Sequence, residues 1–169
     1  MGVKFHDYSI EAQTALDEVA LDWLDAWANE IAAQAARHCA MDGELGQQLR
    51  GSYAVQMHEA QRSAQVGSPM EAAYWEEFGT GAYAAKGNGR KGWWIYIPGG
   101  ESGGGGATYD TRQEAEEMAA YIRSRYGKPA VVTNGRRPAY TLENAFKGVK
   151  PKAVQDLKTR LKQRMDGNG

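Results

Sequence analysis

The chain has 169 residues, 20 basic and 21 acidic side chains, a formal net charge of -1 and one cysteine. That length fits a single domain, 1–169, with room for a buried core. The charge balance offers no overall attraction to nucleic acid or to an anionic membrane, and the lone Cys39 excludes a disulfide framework or a multi-cysteine zinc site. Nowhere is there an apolar run of ~18 residues, and the stretch from Met1 to Ile10 has no apolar secretion core, so neither a membrane span nor that export route is expected.

The charges are unevenly placed. From Met1 to Leu45 nine acids (Asp7, Glu11, Asp17, Glu18, Asp22, Asp25, Glu30, Asp42, Glu44) face two bases (Lys4, Arg37). From Arg136 to Arg164 nine bases (Arg136, Arg137, Lys147, Lys150, Lys152, Lys158, Arg160, Lys162, Arg164) face two acids (Glu143, Asp156). Either the two ends pack on each other within one chain, or the ends of neighbouring copies meet.

The spacing of Leu16, Val19, Ala20, Trp23, Trp27 and Ile31 by threes and fours predicts one long helix over 9–40. Ser9 is its expected N-cap and Asp42-Gly43 its expected stop. Trp23 fits a core position, whereas Trp27 fits either the core or a surface between copies. Gly43 to Ser52 reads as a connection or weak helix around Leu45 and Leu49. Tyr53, Val55 and Met57 alternate as in a half-buried strand, and Ala64 and Val66 continue as a second strand after a turn through Glu59 to Arg62. Pro69 starts a short helix to Phe78, with Gly79 just beyond its end.

Trp93 to Ile97 is the clearest strand, aromatic and β-branched between Gly92 and Pro98. Gly99 to Gly106 holds six glycines in eight residues and predicts a mobile loop, because it has no apolar surface to bury. Thr111 and Glu114 form a capping box for an inserted helix over 111–127, with Ala115, Met118, Ala119 and Ile122 inward. Ala130 to Thr133 is a short strand closed by Asn134-Gly135. Pro138 to Phe146 and Lys150 to Met165 read as two pieces of a C-terminal helical part over 138–165. The fold class is therefore α+β: a long N-terminal helix on a small, mostly antiparallel sheet over 53–135, with a short central helix, an inserted helix and a C-terminal helix.

No catalytic constellation emerges, and no enzyme, cofactor or metal is expected. His6, His38 and His58 lack a second ligand at metal spacing. Cys39 has no base assigned to it. Glu76-Glu77 and Glu116-Glu117 are adjacent on helices, about 100° apart, and read as solvated faces. Gly79-Thr80-Gly81 and the loop from Gly87 to Gly92 lack the lysine and helix of a phosphate-binding loop. Arg90-Lys91 followed by Trp93-Trp94 fits an ordinary strand after a polar turn. The alternative is a single-stranded nucleic-acid module using Trp93, Trp94 and the basic C-terminal helix.

One segment carries a more specific pattern. Val66-Gly67-Ser68, followed by Tyr74 and then Glu77-Phe78-Gly79-Thr80-Gly81, resembles the signature of the bacteriophage minor tail or neck (tail-completion) protein family typified by gene product ten of phage HK ninety-seven. Gly43-Glu44-Leu45 with Gly51-Ser52, the aromatic strand from Gly92 to Gly99, and Thr133 to Tyr140 are similar to further parts of that family's pattern. Trp75 departs from it, as do Ala139-Tyr140 and the inserted helix. The resemblance implies a virion structural protein, assembled in the host cytoplasm, that joins head to tail. It implies that copies form a ring, six by tail symmetry, between head-closure and tail-tube proteins, with no membrane and no direct DNA contact. Tyr74, Glu77, Phe78, Gly79, Thr80 and Gly81 would then serve folding and assembly, and Trp27, Trp93, Trp94, Arg136 and Arg137 are candidate interface residues.

Overall fold

A computed structural model of the chain describes residues 9–98 and 106–167, with side chains from residue 13 onward. The expected Ser9 cap and nearly all of the glycine loop over 99–106 lie outside the described residues and side chains. The fold class is α+β, as the sequence predicts: the described residues form five α-helices and two small antiparallel sheets. The chain divides into two compact units, one formed by 1–73 together with 141–169, the other by 74–140.

In the first unit α1 (Ser9–His38) is a continuous helix of 30 residues. No glycine or proline interrupts it. Its buried positions are Ala28, Ala32, Ala35 and, just past its end, Cys39. Their spacings of four, three and four make a stripe of small side chains, which lets neighbouring backbones come close. The larger residues of the expected stripe are only half-buried, and Leu16 is exposed. The helix stops at His38, before the expected Asp42-Gly43, and the turn that follows is tied down from a distance. The Arg50 guanidinium donates to the Cys39 and Met41 carbonyls at 3.3 and 2.9 Å. These carbonyls lie one and three residues past the helix, in the turn that leads to the next one.

Arg50 lies on α2 (Gly43–Ser52), the weak helix of the sequence reading, anchored by the fully buried Leu49. Next comes the expected hairpin of β1 (Ala54–His58) and β2 (Ser63–Gly67). Its register sets Val55 opposite Val66 and Met57 opposite Ala64, so the half-buried side chains share one face. The turn between the strands is tight, with Arg62 left-handed at φ 47°. Arg62 also pairs with Asp17 of α1.

α5 (Thr141–Met165) is one helix and not two. It begins at Thr141, so Pro138 to Tyr140 are not helical, and it runs straight through Gly148 and Pro151. Pro151 has no N–H to give the Lys147 carbonyl. Packing compensates for that loss: α5 lies along α1 with Ala145, Val149 and Ala153 buried. The helices that carry most of the acidic and most of the basic residues thus pack on each other within one chain.

The second unit takes up the chain partway along α3 (Glu71–Phe78). Its sheet has the order β4-β3-β5, with β3 (Trp93–Tyr96) between β4 (Thr108–Tyr109) and β5 (Val131–Thr133), antiparallel to both. The strands expected to form one sheet thus fall into two. α4 (Arg112–Tyr126) packs on the three-stranded sheet through Ala115 and Ala119, both fully buried. The expected inward Met118 is exposed and Ile122 half-buried. The capping box is present in both directions: the Thr111 hydroxyl accepts from the Glu114 N–H, and the Glu114 carboxylate accepts from the Thr111 N–H.

Candidate assembly site

The resemblance-bearing segment lies at the end of α3. Gly79 sits just past the helix, at φ +70°, and its N–H donates to the Trp75 carbonyl at 2.9 Å. This is the left-handed helix end expected there. A Cβ on Gly79 would lie 2.7 Å from the Arg136 carbonyl oxygen.

Beyond Gly79 the chain runs antiparallel to 134–139. The Ala139 N–H donates to the Glu76 carbonyl (2.8 Å), the Thr80 N–H to the Arg136 carbonyl (2.9 Å) and the Ala82 N–H to the Asn134 carbonyl (2.8 Å). In return the Arg136 N–H donates to the Thr80 hydroxyl at 3.0 Å. At Gly81 (φ +59°) a Cβ would stand 2.2 Å from the Asn134 carbonyl oxygen and 2.4 Å from the Trp94 ring. No side chain fits there, because two backbones and an indole already touch. The motif is thus a knot of backbone.

Beneath the knot is a salt bridge. Arg136 lies 2.8 Å from Oε2 of Glu76, whose side chain is 0% exposed. Glu76 and Glu77 are both buried, which corrects the expectation of a solvated carboxylate pair. Of these two carboxylates, Glu76 is the one paired with Arg136. Arg136 and Glu76 are 60 positions apart, and nothing local in either segment marks the pair.

Aromatic rings and cations surround the knot. The Tyr74 and Phe78 rings meet at 4.9 Å, as their spacing of four predicts, and the Lys86 ammonium stands 4.1 Å from the Phe78 centroid. Arg137 stacks on Tyr83 at 4.8 Å and Arg90 on Trp94 at 5.1 Å, and Arg112 of α4 lies over Trp93 at 5.6 Å. Trp93 and Trp94 are half-buried with these cations against their rings. Of the candidate interface residues, Trp93, Trp94, Arg136 and Arg137 therefore each have a partner within this unit, and Arg137 is also exposed.

Trp27 belongs to the first unit. Its indole N–H donates to the Asp156 carboxylate at 2.8 Å, and the Trp23 indole donates to the Ala153 carbonyl at 2.7 Å. Both rings line an open groove of about 450 Å³ between α1, β2 and α5, together with Ile31, Ala64, Val66, Phe146, Val149 and Val154. Phe146 is 49% and Val154 42% exposed. Sequence periodicity marks both helices of this groove but not that a strand of the hairpin would wall it.

Among the described residues, no three of His, Cys, Asp and Glu gather where they could hold a metal ion, and no helix is long and apolar enough to cross a membrane. No family model, curated protein or solved structure matches the chain.

Proposed function

We propose that this protein is a structural subunit of a tailed phage virion, placed in the neck or the head-proximal end of the tail, where it joins head to tail through protein contacts. The observation that carries the reading is the state of the Glu76 to Gly81 segment. Its hydrogen bonds, its glycine contacts and its buried carboxylate go into fixing the chain's own path. A segment used in this way is a scaffold: it sets the angle between a helix and the strands that follow. The family resemblance rests on that segment, and the scaffold role agrees with it. The apolar groove beside Trp27 and Phe146 adds a surface suited to a protein neighbour.

The nucleic-acid alternative draws on Trp93, Trp94 and the basic C-terminal helix. Base stacking needs open aromatic faces, and Arg112 and Arg90 already lie against these two rings. The basic helix belongs to the other unit, packed on α1. These observations favour the structural role.

Deleting the gene from its phage and imaging the particles tests the proposal. Separate heads and tails, rejoined when the gene is supplied in trans, are the expected result. Joined, infectious particles without the protein would refute it.

A further inference from the structure

We infer that the region around the motif knot is a docking surface for a second copy of this chain, and that its occupant is the acidic outer ridge of α1. Within 74–98 and 131–140 there are five bases, Lys86, Arg90, Lys91, Arg136 and Arg137. The two acids of these segments, Glu76 and Glu77, are both buried. Lys86, Lys91 and Arg137 are exposed. These segments therefore present positive charge, and the exposed acids of the same unit, Asp110, Glu114 and Glu117, lie after β4 and on α4.

The cations are also held in place. Lys86 rests on Phe78 and Tyr74, Arg137 on Tyr83, and Arg90 on Trp94 while it donates to the Thr108 hydroxyl at 2.8 Å. Long cationic side chains normally lose rotamer freedom when they pair. Stacking on a ring meets part of that cost before any partner arrives.

The matching surface is on α1. Glu18, Asp22 and Asp25 recur at spacings of four and three and are all exposed, so they form one ridge. At 100° per residue this ridge lies opposite the face that carries Trp27 and Ile31 into the groove. The other acids nearby are already matched inside the first unit: Asp17 pairs with Arg62 and Glu30 with Arg37.

Two chemistries could seat on such a cationic surface, a polyphosphate or a carboxylate ridge. The whole-chain charge of -1 gives no long-range pull on a polyanion. A three-residue carboxylate ridge needs only local complementarity. Each exposed pair contributes little alone, so the contact is weak singly and sensitive to salt. Because it joins different surfaces of the two copies, it is heterologous and propagates into a ring or an open filament. The inference does not depend on the virion role, although a ring would serve it.

Light scattering coupled to size exclusion tests the contact on the full chain, with circular dichroism to confirm folding. Wild-type protein at ~50 mM salt should form oligomers that dissociate at ~0.5 M, where screening is nearly complete. The charge reversals K86E/R137E and E18K/D22K/D25K should each be monomeric. Mixed in equal amounts they should assemble again, because each then offers the surface the other lacks. K91E breaks no stack and should weaken assembly at least threefold, so the inference stays testable if the double variant folds poorly. A wild-type chain that is monomeric at low salt overturns the inference, as does a folded pair of variants that fails to assemble on mixing. A monomer that binds a labelled oligonucleotide through Lys86 and Arg137 overturns it too, and assigns the surface to nucleic acid. Oligomers of a chain that phage can lose without harm would end the virion proposal alone, whereas joining by a monomeric chain would end this contact alone.

Discussion

The two units of the chain are stabilised by different means. The first is built from helices with small side chains at their contacts: Ala28, Ala32 and Ala35 of α1, and Ala145, Val149 and Ala153 of α5, are buried. Two indole N–H groups of α1, from Trp23 and Trp27, donate to Ala153 and Asp156 of α5 and fix how those helices lie. The second unit has a smaller apolar interior, mainly Ala115, Ala119 and Ala130. It compensates with backbone hydrogen bonds between 76–82 and 134–139, glycines at the crossing and a buried ion pair. Apolar packing tolerates adjustment, because a lost methylene lowers stability by a graded amount. A backbone crossing does not, because one added methyl has nowhere to go. The units should therefore fail differently.

The largest expected effect is at the crossing. Gly81→Ala places a methyl 2.2 Å from a carbonyl oxygen, in a left-handed backbone. The left-handed conformation alone costs an L residue ~1–2 kcal/mol, and with the clash the total should reach roughly 3 kcal/mol or more. Amide NMR spectra should lose the dispersed signals of 74–140 and keep those of α1 and α5. A Gly81→Ala spectrum that superimposes on wild type would mean the crossing is not what holds this unit. Gly79→Val should act in the same direction, since that residue too is left-handed and pressed on the Arg136 carbonyl.

Next comes the ion pair. Glu76→Gln leaves Arg136 without its charge partner at a site where the carboxylate is 0% exposed. Breaking a buried pair costs ~3–5 kcal/mol, but the Arg136 side chain is 38% exposed and water can reach it, so about 2 kcal/mol is expected. Urea unfolding measures it. Glu77→Gln provides the contrast: if Glu77→Gln proves the more damaging, the pairing has been assigned to the wrong carboxylate.

The helical unit should respond more gently. Trp27→Ala removes half a buried indole and its bond to Asp156, for about 2 kcal/mol. The protein should melt earlier yet run at an unchanged size, because this side chain bonds within its own chain. A variant with unchanged melting but altered assembly would return Trp27 to the interface between copies.

What was legible in the sequence follows the same divide. Features that depend on residues within a few positions of one another were readable: the stripe of α1, the β1–β2 alternation, Gly79 at the end of α3, and the meeting of Tyr74 and Phe78. Features that depend on distant partners were not. Arg50 ties down the Cys39 and Met41 carbonyls just past α1, and Arg136 takes Glu76 as a partner across 60 positions. The adjacent carboxylates at 76 and 77 looked solvated because charge is usually exposed, and only the returning strand of chain makes burial affordable. Gly148 and Pro151 looked like a helix break because local propensity disfavours both. The packing of α5 on α1 overrides that preference.

The smallest effect provides a control inside the knot-bearing unit. Thr111 and Glu114 close the start of α4 through two reciprocal bonds of 3.2 Å, and both residues are exposed. Water can replace a lost bond there, so no buried group is left unsatisfied. Thr111→Ala should cost about 1 kcal/mol, a usual value for a lost N-cap, and Thr111→Ser should restore most of it. Unlike the crossing at Gly81, this feature lies wholly within four residues, and the rest of the unit needs nothing from it beyond a stable α4. Thermal melting of the three proteins should therefore give a small graded series with unchanged spectra for β3 and β5. A loss of ~3 kcal/mol, as large as that expected at Gly81, would show that α4 and the knot unfold as one piece, and that local and long-range contacts in this unit cannot be separated by mutation.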